Sequence, residues 1–253
     1  TPQLYNLDAV AYESLMLGFF QIWRGPHNHQ CEGVPKITEL NFAYSRDGFH
    51  WHRPDRTTAI RAEREAGTWD RGYVQSLGNI CVVRGDELWF YYTGFAGNED
   101  RAGEGGMYDN GAMGIAKLRR DGFVSMDAGP ESGTLTTRPV RFDEGCRLFI
   151  NADAPEGEVR AEILAADGDP IPPFTLANSR AFRGDKTLHE MTWSGAEEFD
   201  ALRGQTVRFR FTVTDGALYA FWVSPDASGR SDGFLAGCGP GYTGPTDTVG
   251  AVE

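Results

Sequence analysis

The sequence lacks the features by which a chain engages a membrane or a nucleic acid. No apolar run approaches the roughly 18 residues that a membrane-spanning helix needs, and no basic-headed apolar segment of the signal-peptide kind opens it. Basic residues are scarce, because 24 Lys and Arg stand against 36 Asp and Glu, a net charge of -12. Phosphate-rich partners call for excess Lys and Arg. We therefore expect neither membrane nor nucleic acid as a partner, and a neutral ligand such as a sugar fits better.

Cysteine is sparse and widely spaced. Cys31, Cys81, Cys146 and Cys238 show none of the CxxC or Cys/His spacings that hold structural zinc, so we expect no metal site. Cys81 lies in an apolar run and is expected to be a small buried hydrophobic residue. The cysteines therefore do not identify the compartment.

Several catalytic signatures are also missing. The sequence contains no Gly-x-Ser-x-Gly elbow, no phosphate-binding glycine loop and no dinucleotide fingerprint. These absences remove support for a serine hydrolase, a kinase or a dehydrogenase, and we expect no cofactor.

Sustained helical periodicity is nearly absent, and this defines the fold class. The 32 glycines and 13 prolines separate many short stretches rich in Val, Ile, Phe, Tyr and Trp, the pattern of β-strands joined by turns. Only residues 195–203 suggest a helical turn, between two strands. The sequence therefore predicts an all-β protein.

One unit occurs twice in the first half of the chain. Leu15 and Leu88 are 73 residues apart, and two Asp-Gly-Phe tripeptides, beginning at Asp47 and Asp121, are 74 apart. Repeats of this kind indicate repeated supersecondary units. Each unit is predicted to contain four short strands, with a hairpin turn at Asp-Gly, a dipeptide that tolerates positive φ.

Four short strands with interleaved aromatic residues are typical of a β-propeller blade. We therefore assign residues 1–130 to two C-terminal blades. Two blades cannot close a ring, so we expect the remaining blades on a missing N-terminal segment, in a processed or truncated product, or on a second chain.

The pattern changes after about Gly133. Residues 131–225 contain further strands with polar and apolar alternation, among them 147–151 and 158–164, as in two antiparallel sheets that each have one solvated face. This region is predicted to be a β-sandwich. The Gly- and Pro-rich tail, 226–253, has little to pack and is expected to be mobile.

Four segments together resemble the five-bladed propeller glycoside hydrolases, in particular the invertase- and levanase-like proteins of glycoside hydrolase family 32 and their bacterial relatives. The likeness covers most of residues 5–223. The segments are Ala-Tyr-Glu-Ser-Leu at 11–15, Tyr-Ser-Arg-Asp-Gly-Phe-His-Trp at 44–51, Gly-Thr-Trp-Asp-Arg-Gly at 67–72 and Leu-Trp-Phe-Tyr-Tyr-Thr-Gly at 88–94.

The resemblance implies a funnel in which acidic residues at strand starts meet the sugar. Glu13 would be the general acid, with its pKa raised by surroundings that include Tyr12 and Trp23. Asp70 would bind sugar hydroxyls or stabilise charge. Retaining enzymes hold two carboxyl groups about 5 Å apart and inverting enzymes separate them further; the sequence leaves this choice open.

The resemblance also implies a set of substrate-binding residues, some of which could stack on sugar faces. The set is Trp23, His27, His29, Trp69, Arg71, Tyr73 and Gln75. The spacing of the two histidines also permits a metal, but no acidic motif accompanies them, so a polar loop at the funnel mouth is favoured.

Two motifs of the invertase-like enzymes are absent. The chain has neither the Asn-Asp-Pro motif of the nucleophile nor the Arg-Asp-Pro motif, and Arg46-Asp47-Gly48 is expected in a hairpin turn. Two functions therefore stay open: a secreted or periplasmic glycosidase, or a non-catalytic carbohydrate-binding or scaffolding protein. A third alternative is one piece of a two-chain enzyme.

Overall fold

The computed structural model describes residues 1–101, 103 and 105–248, and it confirms the all-β prediction, with 52% strand and 4% helix. The helices among these residues are three-residue 3-10 turns at Asn28–Gln30, Gly106–Tyr108 and Asp200–Leu202. The last lies inside the stretch 195–203 that the sequence marks as a helical turn. No helix in the described part is long and apolar enough to cross a membrane.

The strands fall into two compact units, one of residues 1–117 with 233–246, the other of residues 118–232 with 247–248 among the described positions. The strands are β1 (Gln3–Glu13), β2 (Leu15–Gly25), β3 (Ile37–Ser45), β4 (Trp51–His52), β5 (Gly72–Arg84), β6 (Glu87–Phe95), β7 (Gly111–Arg119), β8 (Met126–Ala128), β9 (Gly133–Thr136), β10 (Val140–Arg141), β11 (Arg147–Ala165), β12 (Phe182–Met191), β13 (Thr206–Thr214), β14 (Gly216–Ser224) and β15 (Phe234–Leu235). The division falls after Lys117, earlier than the predicted boundary at 130, because β8 pairs with β14.

The first unit contains two antiparallel sheets. Among the described residues, one has the strand order β15-β1-β2-β3-β4 and the other the order β5-β6-β7. β2 and β6 contain the repeated leucines, and β3 and β7 precede the two Asp-Gly-Phe turns. The sequence repeat therefore corresponds to a repeated strand order, but the described sheets have five and three strands instead of the four predicted for each unit.

The two Asp-Gly turns differ. Asp47 closes the β3–β4 hairpin and accepts the backbone N–H groups of His50 and Phe49 at 2.8 and 2.9 Å; these hydrogen bonds hold the pKa of its carboxyl below the usual range. Asp121 adopts a φ of 56° in a turn, but the next strand, β8, pairs with β14. The predicted hairpin is therefore correct at Asp47 and wrong at Asp121.

Aromatic side chains join the two sheets of the first unit. Phe19 and Phe42 are cross-strand partners on β2 and β3, and both contact Phe90 of β6, with ring centroids 5.3 and 5.4 Å away. Gln21 and Thr38 donate hydrogen bonds of 3.1 and 2.8 Å to the Val74 carbonyl of β5. This packing fixes the register of β5 against the first sheet.

The second unit forms a nearly closed, barrel-like sheet. Two predicted strands, 147–151 and 158–164, are halves of the single strand β11. Its first half pairs with β12 and β14, and its second half pairs with β13. Gly157 lies at the bend, where an added Cβ would come within 1.8 Å of the Thr214 carbonyl oxygen, so only glycine fits.

The bend in β11 keeps both halves facing the core. The β11 residues that belong to the hydrophobic core cluster have even numbers before it, as at Ile150, and odd numbers after it, as at Ala161. A register irregularity between Ala154 and Val159 supplies this change of phase. The core also contains Trp193, Phe199, Phe209 and Phe211, each at most 1% exposed.

The C-terminal segment is packed over part of its length. Leu235 of β15 is fully buried, Ala236 donates to the Ala11 carbonyl at 3.0 Å, and Gly237 donates to the Cys81 carbonyl at 3.0 Å. Residues 233–246 are therefore part of the first unit, in contrast to the mobile tail that composition predicts. Residues 249–253 of that tail lie outside the described residues.

Truncating Trp193 should strongly destabilise the second unit, because its ring is buried and its indole N–H donates to the Ala161 carbonyl at 2.9 Å. We expect Trp193→Ala to lower the free energy of unfolding by about 3–5 kcal/mol. Val124→Ala, at a side chain 67% exposed, should change it by about 0.5 kcal/mol or less. Urea unfolding followed by circular dichroism measures both, and equal losses would contradict the assigned core.

Candidate functional site

The first unit has two ends that differ in chemistry. At one end, which we call the aromatic end, lie Tyr5, Trp23, Lys36, Tyr73 and Tyr108. The hydroxyls of Tyr5 on β1 and Tyr73 on β5 are 3.3 Å apart there. At the other, the turn end, lie the β1–β2 turn at Glu13 and the β3–β4 turn at Asp47.

The structure separates the two predicted catalytic carboxylates. Glu13 lies eight residues along β1 from Tyr5, which is about 26 Å at the usual rise of an extended strand. Asp70 comes three residues before Tyr73 and therefore lies at the aromatic end. On this estimate, Glu13 and Asp70 lie farther apart than the roughly 9.5 Å within which glycosidases hold their carboxyl pair.

Glu13 lies in a tight turn. Its φ is 47°, and it pairs with Phe234 of β15. Gly233 packs against it so closely that an added Cβ would come within 2.0 Å of Glu13 Oε2. Trp23, expected beside Glu13, lies at the opposite end of β2, opposite Gln3. The prediction that Trp23 lies beside Glu13 is therefore wrong.

Asp70 is buried beside β6. Its Oδ2 accepts a hydrogen bond of 3.3 Å from the Tyr92 hydroxyl, and an added Cβ at Gly94 would come within 2.7 Å of Asp70 Cβ. Burial, with the charge and hydrogen bond of Asp70, raises the pKa of Tyr92 to about 12. The carboxylate is therefore held by a phenol that stays protonated at neutral pH.

The predicted substrate-binding residues lie at the aromatic end. The Trp23 ring lies 4.8 Å from the His27 ring, centroid to centroid. Trp69 contacts the ring of Tyr92 at 5.4 Å and remains 37% exposed. Gln75 follows on β5, opposite Thr93. The predicted residues thus fall into two groups, one at and after the end of β2 and the other at the start of β5.

The two histidines are stacked rather than convergent. The rings of His27 and His29 are 5.8 Å apart and within 13° of parallel. Imidazole lone pairs lie in the ring plane, so parallel stacked rings do not point at one ion between them. This geometry favours the polar-loop interpretation over a metal site.

Arg71 has one donor to spare. Its guanidinium pairs with Glu99 at 2.5 Å, while its Nε is buried and has no hydrogen-bond partner within the described part of the chain. Buried donors in native proteins are nearly always paired. A ligand acceptor would reach this one only after a shift of the Arg71 side chain, because Nε itself is buried.

Lys36 is the feature that the sequence did not reveal. The side chain is only 3% exposed, and Nζ donates to Tyr5 Oη at 2.8 Å and to Asn28 Oδ1 at 3.4 Å. Nζ also lies 4.5 Å from the ring centroids of both Tyr5 and Tyr73. A desolvated cation–π contact contributes about 2 kcal/mol, which helps to offset burial of the ammonium.

The two tyrosines respond oppositely to this environment. The hydrogen bonds from Lys36 and Tyr73 lower the pKa of Tyr5 below its usual value. Burial, followed by the hydrogen bond to Tyr5, raises the pKa of Tyr73. Tyr73 also has a φ of 50° at the start of β5, a strained conformation that often marks a functional position.

The second unit offers a competing but weaker site. An open cleft of about 480 Å³ is lined by residues that include Arg147, Arg180 and Glu198. Ligand atoms of Cys146, Glu198 and Asp200 lie within 4.8 Å of one another. Arg147 and Arg203 pair with the two carboxylates at 2.5 Å. Since arginines already balance these charges, the cluster is not assigned to a cation.

Replacing Asp70 should change the titration of Tyr92. Asp70→Asn removes the carboxylate charge that opposes phenolate formation, so the pKa of Tyr92 should fall, while burial keeps it above the usual value. Phenolate absorbance during an alkaline titration, with and without Tyr92→Phe, measures the change. Asp47→Asn at the turn end is the control. An unchanged Tyr92 titration in Asp70→Asn would rule out the contact.

No family model matches the chain, and a search of curated proteins finds no match.

Proposed function

We propose that the first unit binds a carbohydrate at its aromatic end. The observation that carries this proposal is the Arg71 side chain, which is 15% exposed and whose Nε has no hydrogen-bond partner within the described part of the chain, at the same end as the exposed rings of Trp69 (37%) and Tyr108 (43%). Sugars present hydroxyl acceptors together with C–H faces that stack on such rings. The acidic composition, with a net charge of -12, agrees with a neutral ligand.

We further propose that the two sheets of this unit are blades of an incomplete five-bladed propeller, with a sandwich formed by the second unit. The repeat offsets of 73 and 74 residues and the repeated antiparallel order support blades. Met113 and Ile115 of β7 are 71% and 45% exposed. Exposed apolar residues of this kind favour a further blade on that face.

Binding should depend on Arg71 and Trp69. We expect Arg71→Gln and Trp69→Ala each to weaken the affinity for an accepted oligosaccharide by about tenfold or more, because a hydrogen bond to a charged donor contributes about 1.5–3 kcal/mol. Titration calorimetry against a panel of soluble oligosaccharides measures this.

Phe49→Ala is the matched control, since Phe49 is an exposed aromatic residue at the turn end, 87% exposed. It should leave the affinity unchanged. A larger effect of Phe49→Ala than of Arg71→Gln would place the ligand at the turn end, and no binding to any member of the panel would reject the proposal.

Glycoside hydrolysis is the second candidate function, because the carboxylate of Asp70 lies at the same end as the proposed sugar contacts. If the protein is a glycosidase, Asp70→Asn should abolish the release of reducing sugar while oligosaccharide binding persists. Glu13→Gln should retain turnover, because Glu13 lies about 26 Å along β1 from Tyr5 and the aromatic end. The reverse result would return the catalytic role to Glu13 and move the site to the turn end.

A further inference from the structure

The hydroxyl of Tyr5 stands between a buried cation and a second phenol. Lys36 Nζ lies 2.8 Å from Tyr5 Oη, and the Tyr73 hydroxyl lies 3.3 Å from it. Tyr5 itself is 46% exposed, whereas Lys36 is 3% exposed. The Tyr5 phenol is thus accessible to a ligand, whereas the Lys36 ammonium, which favours the phenolate form of Tyr5, is buried next to it.

The charges around this hydroxyl come from separate elements. Lys36 immediately precedes β3, Tyr73 lies on β5, and Tyr108, whose ring centroid is 5.9 Å from Lys36 Nζ, lies in the 3-10 helix Gly106–Tyr108. Lys36 forms no ion pair with a carboxylate within the described part of the chain. A phenolate at Tyr5 would be the anion nearest to the ammonium.

We propose that Tyr5 is a proton-transfer site, an exposed phenol that releases its proton more readily than other exposed tyrosines of the chain and accepts one from a ligand O–H group. In the forward step the phenolate oxygen takes the hydroxyl proton, forming phenol and a ligand alkoxide. In the return step the phenol gives that proton back. No oxidant or further reactant takes part.

Each neighbour has a distinct role in this site. The Lys36 ammonium stabilises the negative oxygen by charge and by an N–H donor. Toward a Tyr5 phenolate the Tyr73 hydroxyl is the donor of a second hydrogen bond, and burial opposes the ionisation of Tyr73 itself. Hydrogen bonding to the ionised form favours that form, so the pair directs ionisation to Tyr5. The site does not rest on the proposed carbohydrate function, because it is visible without ligand.

Tetranitromethane, which nitrates the phenolate form of tyrosine, is the probe. On the intact protein at mildly alkaline pH, peptide mass spectrometry should find Tyr5 nitrated before the exposed Tyr44 of the turn end. Lys36→Met should raise the pKa of Tyr5, and each unit of that rise should slow nitration of Tyr5 about tenfold, because the phenolate fraction falls tenfold. The nitration rate of Tyr44 should stay unchanged. An alkaline absorbance titration of Tyr5→Phe should lack the earliest phenolate transition.

Tyr73→Phe provides a second variant that keeps the buried cation and the ring. It should slow Tyr5 nitration less than Lys36→Met does, because the Lys36 ammonium, which supplies positive charge as well as a donor, remains. Circular dichroism identifies a variant that has not folded. The nitration rate of Tyr5 in the other, folded variant then tests the proposal. Equal nitration rates for Tyr5 in the wild type and in a folded variant that lacks a donor, or an unchanged titration in Tyr5→Phe, would overturn the proposal.

Discussion

The contact of Phe90 with Phe19 and Phe42 is the constraint on which the first unit depends. An antiparallel sheet has one face to bury, and these rings determine which residues of the two sheets meet. Once they are in place, Gln21 and Thr38 reach the Val74 carbonyl. The start of β5 then lies beside the start of β1, and the aromatic end follows from that register.

Burial of Lys36 follows from the same register. An isolated ammonium is costly to remove from water, and here two hydrogen bonds and two aromatic faces replace the lost hydration. Those partners come from β1, from β5 and from the loop after β2, so none of them is adjacent to Lys36 in sequence. The contacts of Lys36 with Tyr5, Tyr73 and Asn28 therefore result from sheet packing. The same contacts compensate for burial of the ammonium and place it where it would favour ionisation of Tyr5.

The second unit owes its form to one bent strand. The sequence around β11 alternates on both sides of residues 155–157, a pattern that predicts two strands. Pairing with β13 and β14 instead carries the chain through the bend, and Gly157 allows the close approach to Thr214. Local patterning predicts that both halves are extended, but a change of phase within one strand depends on its neighbours.

The sequence alone determined the fold class, the repeat and the Asp47 turn, because strand periodicity and turn chemistry are local properties. Tertiary structure decided what depends on distant segments meeting. It placed Glu13 at the end of β1 that is remote from the aromatic end, where Asp70 lies. It buried Leu235 although the C-terminal tail has little apolar content. It also placed Lys36 against Tyr5 and Tyr73. Which strand ends meet cannot be inferred from local sequence, because it depends on how the sheets pack against each other.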